Sequence, residues 1–217
     1  MHVVVAGGHG KVAMHLHPLL RAKGHTVSGL IRKAAQSEEL RLVGAQPIVC
    51  DLEELDDISE CVGEADAVVF AAGAGPGSGA ERKWTVDRDG AVKLMKAARI
   101  NGIRRYLMIS AMNVEEPRGG EVFQAYLQAK AEADEALRNS GLDYTIIRPG
   151  GLTDDDPTGR VIMAPSLPKG TIPRADVAAV LAHVLEVPET IGRQFDLTSG
   201  SKTIPEAVEV AAAARYS

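Results

Sequence analysis

The chain has 217 residues and a formal net charge of -5, with 24 Lys and Arg against 29 Asp and Glu. This length favours one domain with a large core, and the acidic balance excludes the basic field that nucleic-acid binding needs. No apolar run approaches a membrane span and no cleavable leader is present, so we expect a cytoplasmic protein. Cys50 and Cys61 are interpreted as core or near-core residues, and the six His show no metal-ligand spacing.

The chain opens with an apolar strand, residues 2–6, that breaks into glycines and then into a helix over 10–23. Gly7, Gly10 and Ala13 have the spacing G-x-x-G-x-x-A, a variant of the dinucleotide-binding fingerprint. Gly7 allows a sharp turn, Gly10 lacks the Cβ that would block a pyrophosphate, and Ala13 keeps the helix near the sheet. The helix N-terminus then faces the phosphates. A turn without a ligand is the alternative. The predicted phosphate-loop residues are Gly7, Gly8, His9, Gly10, Lys11 and Val12.

The second strand, residues 26–31, ends in Arg32 and Lys33 and contains no acid. An NAD site places Asp or Glu at this strand end for the ribose hydroxyls, whereas a 2′-phosphate requires a cation. A guanidinium suits phosphate because it binds two oxygens at once. We therefore expect NADP(H) as the cofactor, held by Arg32. The alternative is that Arg32 is a solvated loop residue.

Strand and helix patterns alternate through most of the chain. The apolar strands are continuous, as in parallel sheets covered on both faces, and Gly24, Gly44, Gly102 and Gly141 fall where helices end. This pattern predicts an α/β fold, a doubly wound parallel sheet of the Rossmann type. The further predicted elements are helix 35–43, strand 46–50, helix 54–61, strand 66–71, helix 80–101, strand 104–109, helix 121–140 and strand 143–148.

Two strand ends are predicted to contact the adenosine half of the cofactor. Asp51 and Leu52 follow the third strand, where Rossmann proteins bind adenine. Asp51 either accepts a hydrogen bond from the adenine amino group or caps the short helix that follows. Ala71, Ala72 and Gly73 end the fourth strand, and their small size leaves room for a ribose.

Three residues indicate proton-transfer chemistry. Ser110 ends the fifth strand, and Tyr126 and Lys130 follow in the next helix at a spacing of four, which puts them on one face. An adjacent cation favours the ionised form of a phenol. Tyr126 is therefore predicted to exchange a proton with a carbonyl oxygen that Ser110 also binds. Chance occurrence of Tyr and Lys four apart is the alternative.

The pattern loosens after the last core strand. This region is too short for a separate substrate domain, so residues 1–217 are predicted to form one Rossmann domain. Within it, residues 152–173 and the C-terminal tail form a small cap on the substrate side. The predicted elements here are a short strand at 160–164, helix 175–186, strand 193–197 and a tail helix from about Pro205.

Several motifs together resemble the atypical short-chain dehydrogenases/reductases, in the NmrA-like or NAD(P)H-binding epimerase/dehydratase group. They are residues 6–13, 86–90, 107–110, Tyr126 with Lys130, 147–152 and 174–178. The resemblance implies that the nicotinamide carboxamide lies against Pro149, Gly150, Gly151 and Leu152. It also places Asp87 at the cofactor site, where many relatives have an Asn that anchors a water relay to the catalytic Lys. Asp176 is expected to cap its own helix.

The expected function is reduction of a small carbonyl, quinone or similar acceptor by hydride transfer from NADPH. Two alternatives remain open: a non-catalytic NADP(H)-sensing regulator of the NmrA-like type, and an enzyme like the flavin or biliverdin reductases. The latter needs a flat apolar floor, to which Met112 and Leu152 could contribute. Sugar-nucleotide epimerisation is disfavoured because no large C-terminal domain follows. We expect a small-molecule substrate, no nucleic-acid or membrane partner, and either a monomer or a homodimer.

Overall fold

The computed structural model describes residues 1–75, 77–116 and 119–214. Strands and helices alternate along the chain as the apolar pattern indicates. The strands are β1 (His2–Ala6), β2 (Thr26–Ile31), β3 (Gln46–Val49), β4 (Ala67–Phe70), β5 (Arg105–Ile109), β6 (Asp143–Pro149), β7 (Gly151–Thr153), β8 (Arg160–Ala164), β9 (Thr171–Pro173), β10 (Arg193–Ser199) and β11 (Lys202–Thr203). The α-helices are α1 (Lys11–Ala22), α2 (Ser37–Leu42), α3 (Ser59–Val62), α4 (Ala80–Arg82), α5 (Gly90–Ile100), α6 (Glu121–Arg138), α7 (Arg174–Val184) and α8 (Ile204–Ala213).

The described strands form a nine-stranded sheet in the order β11-β8-β10-β6-β5-β4-β1-β2-β3. The seven strands from β10 to β3 run parallel, whereas β8 is antiparallel to β10 and to β11. The order reverses between β1 and β4, and open α/β sheets bind ligands at such a switch point, outside the carboxyl ends of the strands. The doubly wound Rossmann fold predicted from the sequence is confirmed.

The two faces of the sheet bury alternate side chains of each strand. Val3 and Val5 of β1 belong to the apolar layer beneath α1 and α7, whereas Val4 and Ala6 belong to the layer beneath α5 and α6. All four side chains are fully buried, which explains why β1 has a continuous apolar run rather than an alternating one. None of the described helices is long and apolar enough to cross a membrane.

Two predicted helices differ from those observed. The long helix expected over 80–101 is interrupted by a π-helix, Lys83–Asp89, between α4 and α5. The helix expected near 54–61 is only the four-residue α3, Ser59–Val62. Apolar spacing indicates that a segment is helical, but it does not reveal a local change to i→i+5 hydrogen bonding.

The segment predicted as a cap divides between two sheets. Strands β7 and β9 form a separate two-stranded parallel sheet beside the main one. Strand β8 extends the main sheet, and α8 of the predicted cap packs against β8 and α7. Residues 215–217 lie outside the described residues.

Candidate functional site

A cleft of about 1370 Å³ lies at the switch point, lined by residues that follow several parallel strands. Nineteen of the twenty predicted site residues line it. The exception is Gly8, which packs against β2: a Cβ on Gly8 would lie 2.7 Å from the Gly29 Cα, and its N–H donates to the Leu30 carbonyl at 2.9 Å. Gly8 therefore packs on β2 and, unlike the other predicted cofactor residues, does not line the cleft.

The phosphate loop combines a tight turn that only glycine adopts easily with free backbone N–H groups that can bind an anion. Gly7 has a φ of +77°, and a Cβ there would lie 2.5 Å from the Ala72 Cα. Helix α1 begins at Lys11 with Gly10 as its N-cap, and no side chain caps its first N–H groups. Such free N–H groups at a helix N-terminus bind phosphate well. A Cβ on Gly10 would lie 3.0 Å from the Gly7 carbonyl oxygen, so the loop has no room for a larger residue.

A buried histidine that was not predicted as a site residue forms a hydrogen bond to the backbone of this loop. His17 of α1 is fully buried, and its Nε2 donates to the Gly8 carbonyl at 2.7 Å. Burial lowers the pKa of His17, which the hydrogen bond to Gly8 only partly offsets, so the ring is neutral. On the outer side of the loop, His9 contacts Gln36 at 3.1 Å and Glu39 at 3.0 Å.

The adenosine end of the cleft contains a cation without a partner. Arg32 follows β2, is exposed, and forms no hydrogen bond or ion pair with the described residues. Glu53 also lines this end, but Arg82 and Thr85 bind its carboxylate. The hydrogen bond from Arg82 is the main cause of its lowered pKa. Glu53 and Arg82 were not predictable from the sequence, because they meet only in the folded chain.

Asp51 lies at the same end and makes a different contact from the predicted helix cap. Its Oδ1 accepts the Glu53 N–H at 2.9 Å, which stabilises a turn, and α3 begins only at Ser59. Leu52 is buried beside it, and both residues line the cleft. The second Oδ of Asp51 has no hydrogen-bond donor among the described residues, so the carboxylate retains an acceptor that faces the cleft.

The catalytic candidates meet where α6 packs against the π-helix. The ammonium of Lys130 lies 3.3 Å from Asp87 Oδ1 and donates to the Ile109 carbonyl at 3.1 Å, in a buried position. The other carboxylate oxygen of Asp87 accepts the Ala74 N–H at 3.2 Å. Asp87 therefore holds Lys130 directly, and its second oxygen fixes the loop after β4 at Ala74.

Tyr126 lies on the same face of α6, but its environment differs from the prediction. Its ring is 6.0 Å from the Lys130 ammonium, measured to the ring centroid. Burial raises the pKa of Tyr126 above its ordinary value, and the opposing effect of Lys130 is smaller. Lys130 does favour the phenolate, as expected, but burial outweighs it, and Asp87 and Asp134 raise the pKa further.

Ser110 lines the cleft, but its hydroxyl is buried beside a charged cluster. Its Oγ has no hydrogen-bond partner at normal distance among the described residues and lies near the Asp134 carboxyl. Burial raises the pKa of Asp134, against the effect of Arg148, whose guanidinium binds Asp134 at 2.7 Å and Glu115 at 2.6 Å. To reach a substrate oxygen, the Ser110 hydroxyl must turn from Asp134 toward the cleft.

Two acidic residues, Asp154 and Asp176, bind basic side chains and backbone N–H groups around the predicted cap. Asp154 binds Lys11 of the phosphate loop at 2.5 Å and Arg174 at 2.6 Å. Asp176 accepts from the N–H groups of Thr158 and Gly159, both at 2.9 Å. The prediction that Asp176 caps its own helix is wrong, because its carboxylate is turned toward the loop before β8.

The end of β6 and the residues that follow it form another part of the cleft wall. Pro149, Gly150, Gly151 and Leu152 line the cleft. A Cβ on Gly150 would lie 2.3 Å from the Gly170 carbonyl oxygen, so only glycine permits β6 and the β9 end of the cap to approach this closely. The cleft thus has a phosphate loop at its centre, a cation at one end and a phenol–ammonium pair near the other.

Comparison with known proteins agrees with this geometry. The model of the NAD(P)H-binding family matches residues 7–188. An uncharacterized sugar epimerase of Bacillus subtilis, YhfK, is 37% identical, covering 96% of this chain and 99% of its own. The structure of a Bacillus halodurans protein described as an NAD-dependent epimerase/dehydratase is 41% identical with a TM-score of 0.91, over 97% of this chain and 99% of that one. The Lactococcus lactis oxidoreductase ylbE is 25% identical with a TM-score of 0.87, over 100% and 99% of the two chains.

Proposed function

Since the chain belongs to the NAD(P)H-binding family, we propose that it is an NADP(H)-dependent oxidoreductase that reduces a small carbonyl, quinone or similar acceptor by hydride transfer. One observation carries this proposal. Tyr126 and Lys130, a phenol–ammonium pair, line the same cleft as an uncapped glycine-rich helix N-terminus. A protein that only binds a dinucleotide has no need of this pair beside the site.

The residues present fit a dinucleotide. The free N–H groups of α1, in a glycine loop that presents backbone rather than side chains, suit a pyrophosphate. Asp51 has an acceptor for the adenine amino group, and the small Ala71, Ala72 and Gly73 leave room for a ribose. When bound, the cofactor supplies a hydride from its nicotinamide ring.

Arg32 supports NADP(H) over NAD(H). Arg32 lies at the end of β2, the position at which NAD-binding sites carry an acid, and has no ion pair with any described residue. Glu53 lies near enough for Arg32 to help lower its pKa, but its carboxylate is already bound by Arg82 and Thr85. A 2′-phosphate can therefore bind Arg32 without first displacing a partner of Arg32.

Proton transfer is assigned to Tyr126. A phenol with a raised pKa is protonated at neutral pH, so Tyr126 would donate its proton to the oxygen of the acceptor. Lys130, fixed by Asp87 and the Ile109 carbonyl, places positive charge behind the phenol. Ser110 is the second donor to that oxygen, once its hydroxyl turns toward the cleft.

Cofactor choice is tested by isothermal titration calorimetry of NADPH and NADH. We expect NADPH to bind at least about tenfold more tightly, the scale of one charge-assisted contact, and Arg32→Ala to remove most of this difference. Lys33→Ala is the matched control, because it removes a neighbouring cation that does not line the cleft. Equal dissociation constants for the two cofactors in the unmutated protein would contradict the assignment of Arg32.

The name of the Bacillus subtilis relative suggests a second candidate, a sugar epimerase. Such an enzyme uses the same hydride and proton chemistry, but returns the hydride to its substrate and consumes no cofactor. The small sheet of β7 and β9 offers little surface for a nucleotide sugar, which favours the reductase. Net oxidation of NADPH by an added acceptor separates the two, and its complete absence with NADPH bound would favour the epimerase or a cofactor sensor.

A further inference from the structure

The lining of the cleft is more basic than the rest of the chain. Its volume of about 1370 Å³ exceeds the usual range of roughly 300–1,000 Å³ for one small ligand. Among the described residues that line it, seven are Lys or Arg and four are Asp or Glu, although the whole chain is acidic. An excess of positive charge in a cleft concentrates anionic ligands there.

One of these cations, Lys83, is buried and has no acidic partner among the described residues. Only 8% of it is exposed. Its ammonium donates to the Gly75 carbonyl at 2.8 Å and lies 5.6 Å from the centroid of the Tyr126 ring. An ammonium has three N–H donors, and these two contacts leave at least one unused. A buried cation without a counter-charge is costly, and a bound anion at Lys83 would relieve that cost.

The position of Lys83 in the π-helix makes the contrast with Lys130 informative. Asp87, four residues after Lys83, pairs with Lys130 rather than with Lys83. The π-helix therefore supplies the acid that neutralises one lysine and itself carries a second lysine that no described acid neutralises. Both ammonium groups lie near the Tyr126 ring, at 5.6 Å for Lys83 and 6.0 Å for Lys130.

An aromatic surface lies next to Lys83. Phe123, in the first turn of α6, is 54% exposed, lines the cleft, and stacks on Tyr126 with ring centroids 5.9 Å apart. A large aromatic side chain that is half exposed inside a cleft gives a face for a planar ligand. Val122 and Met112 line the cleft as well, so the surface around Phe123 is apolar.

From these contacts we propose that the substrate end of the cleft binds a planar aromatic or conjugated molecule that carries a carboxylate. Lys83 pairs with the carboxylate and Phe123 stacks on the ring. This assignment rests on the proposed function for the position of the reacting group beside Tyr126. The recognition by Lys83 and Phe123 can nevertheless be measured without turnover.

The test is calorimetric titration of two probes of equal shape, 2-naphthoate and the neutral 2-naphthamide, with and without saturating NADP⁺. We expect 2-naphthoate to bind at least about tenfold more tightly, since a hydrogen bond to a charged group is worth about 1.5–3 kcal/mol. Lys83→Gln should remove this preference and Lys83→Arg should keep most of it. Phe123→Ala should weaken both probes, whereas Phe123→Tyr should not.

The control variant is Lys96→Gln, which changes the net charge equally but lies exposed on α5, outside the cleft. Equal affinity for the two probes, no measurable binding of either, or an unaltered preference in Lys83→Gln would overturn the proposal. So would a change of molar mass in Phe123→Ala with unchanged probe binding, because Phe123 would then contact a second copy. Failure of NADP⁺ to bind while 2-naphthoate still does would count against the proposed function alone.

Discussion

The spacing of Tyr126 and Lys130 predicts their shared helical face but not the direction of the pKa shift of Tyr126. The interval of four between Tyr126 and Lys130 correctly predicts that both lie on one helical face, because this follows from local geometry. The direction of the pKa shift does not follow, since it depends on burial and on Asp87 and Asp134, which the fold brings together. The charge of Lys130 is largely committed to Asp87. Tyr126 is therefore placed to donate a proton at neutral pH rather than to accept one.

The raised pKa of Tyr126 predicts a difference between the two directions of reaction. Below its folded pKa, which lies above the ordinary value of about 10, the phenol is protonated. We expect kcat/KM for reduction with NADPH to show no ionisation of Tyr126 between about pH 6 and pH 9. Oxidation of the product alcohol with NADP⁺ needs the phenolate, so its rate should still be rising at pH 10. If the pH profile of kcat/KM for reduction showed an ionisation near pH 7 that disappears in Tyr126→Phe, this prediction would be contradicted.

At the scale of elements, the glycine loop was predictable from the sequence and the π-helix was not. The sequence correctly predicts the strand–loop–helix, yet its glycines serve different needs: Gly7 adopts a positive φ, Gly8 packs on β2 and Gly10 lies close to the Gly7 carbonyl. The π-helix was not predictable, because its sequence has no distinguishing periodicity. The contacts of Lys83 and Asp87 with α6 therefore emerge only from the structure.

Replacing Gly10 with Val tests the loop. Its Cβ would lie 3.0 Å from the Gly7 carbonyl oxygen, and its branches would extend into the space assigned to the pyrophosphate. We expect NADPH binding to be lost in calorimetry while the circular dichroism spectrum stays native. Gly24→Ala, with a φ of +83° and nothing within 4 Å of its Cβ, is the control: it should cost about 1–2 kcal/mol of stability and leave NADPH affinity unchanged. Native NADPH affinity in Gly10→Val would refute the assignment of the loop.

The ion pair between the π-helix and α6 is tested by a double-mutant cycle. Asp87→Ala leaves the buried Lys130 ammonium without its counter-charge and removes the acceptor for the Ala74 N–H. We expect it to lower the free energy of unfolding by about 3–5 kcal/mol. Adding Lys130→Met should recover a substantial part of that loss, because the uncompensated charge disappears. Urea unfolding measures both. Additive losses in the double variant would show that the two groups are not coupled.

At the scale of the whole molecule, the fold was predictable where the apolar pattern of the sequence is local and repetitive. Continuous apolar strands and glycines at helix ends led to the parallel sheet, and Gly24, Gly44, Gly102 and Gly141 all have positive φ. The segment after β6 was not predictable in the same way. Strand β8 joins β10 antiparallel and α8 covers it, and such pairing is set by long-range packing rather than by residues 152–173 themselves. The contacts of Glu53 with Arg82 and of Asp134 with Arg148 also depend on long-range packing, so they were not predictable from the sequence.

The proposed reductase is tested most directly by mixing the NADPH-saturated protein with a panel of quinones, flavins and small aldehydes while following the absorbance of NADPH. Carboxylate-bearing planar quinones are included in the panel. We predict that at least one acceptor oxidises NADPH and that Tyr126→Phe slows this turnover by about a hundredfold or more, with NADPH affinity nearly unchanged. Tyr144→Phe, a tyrosine outside the cleft, should match the unmutated protein. Bound NADPH that no acceptor oxidises, or equal turnover in Tyr126→Phe, would contradict the account.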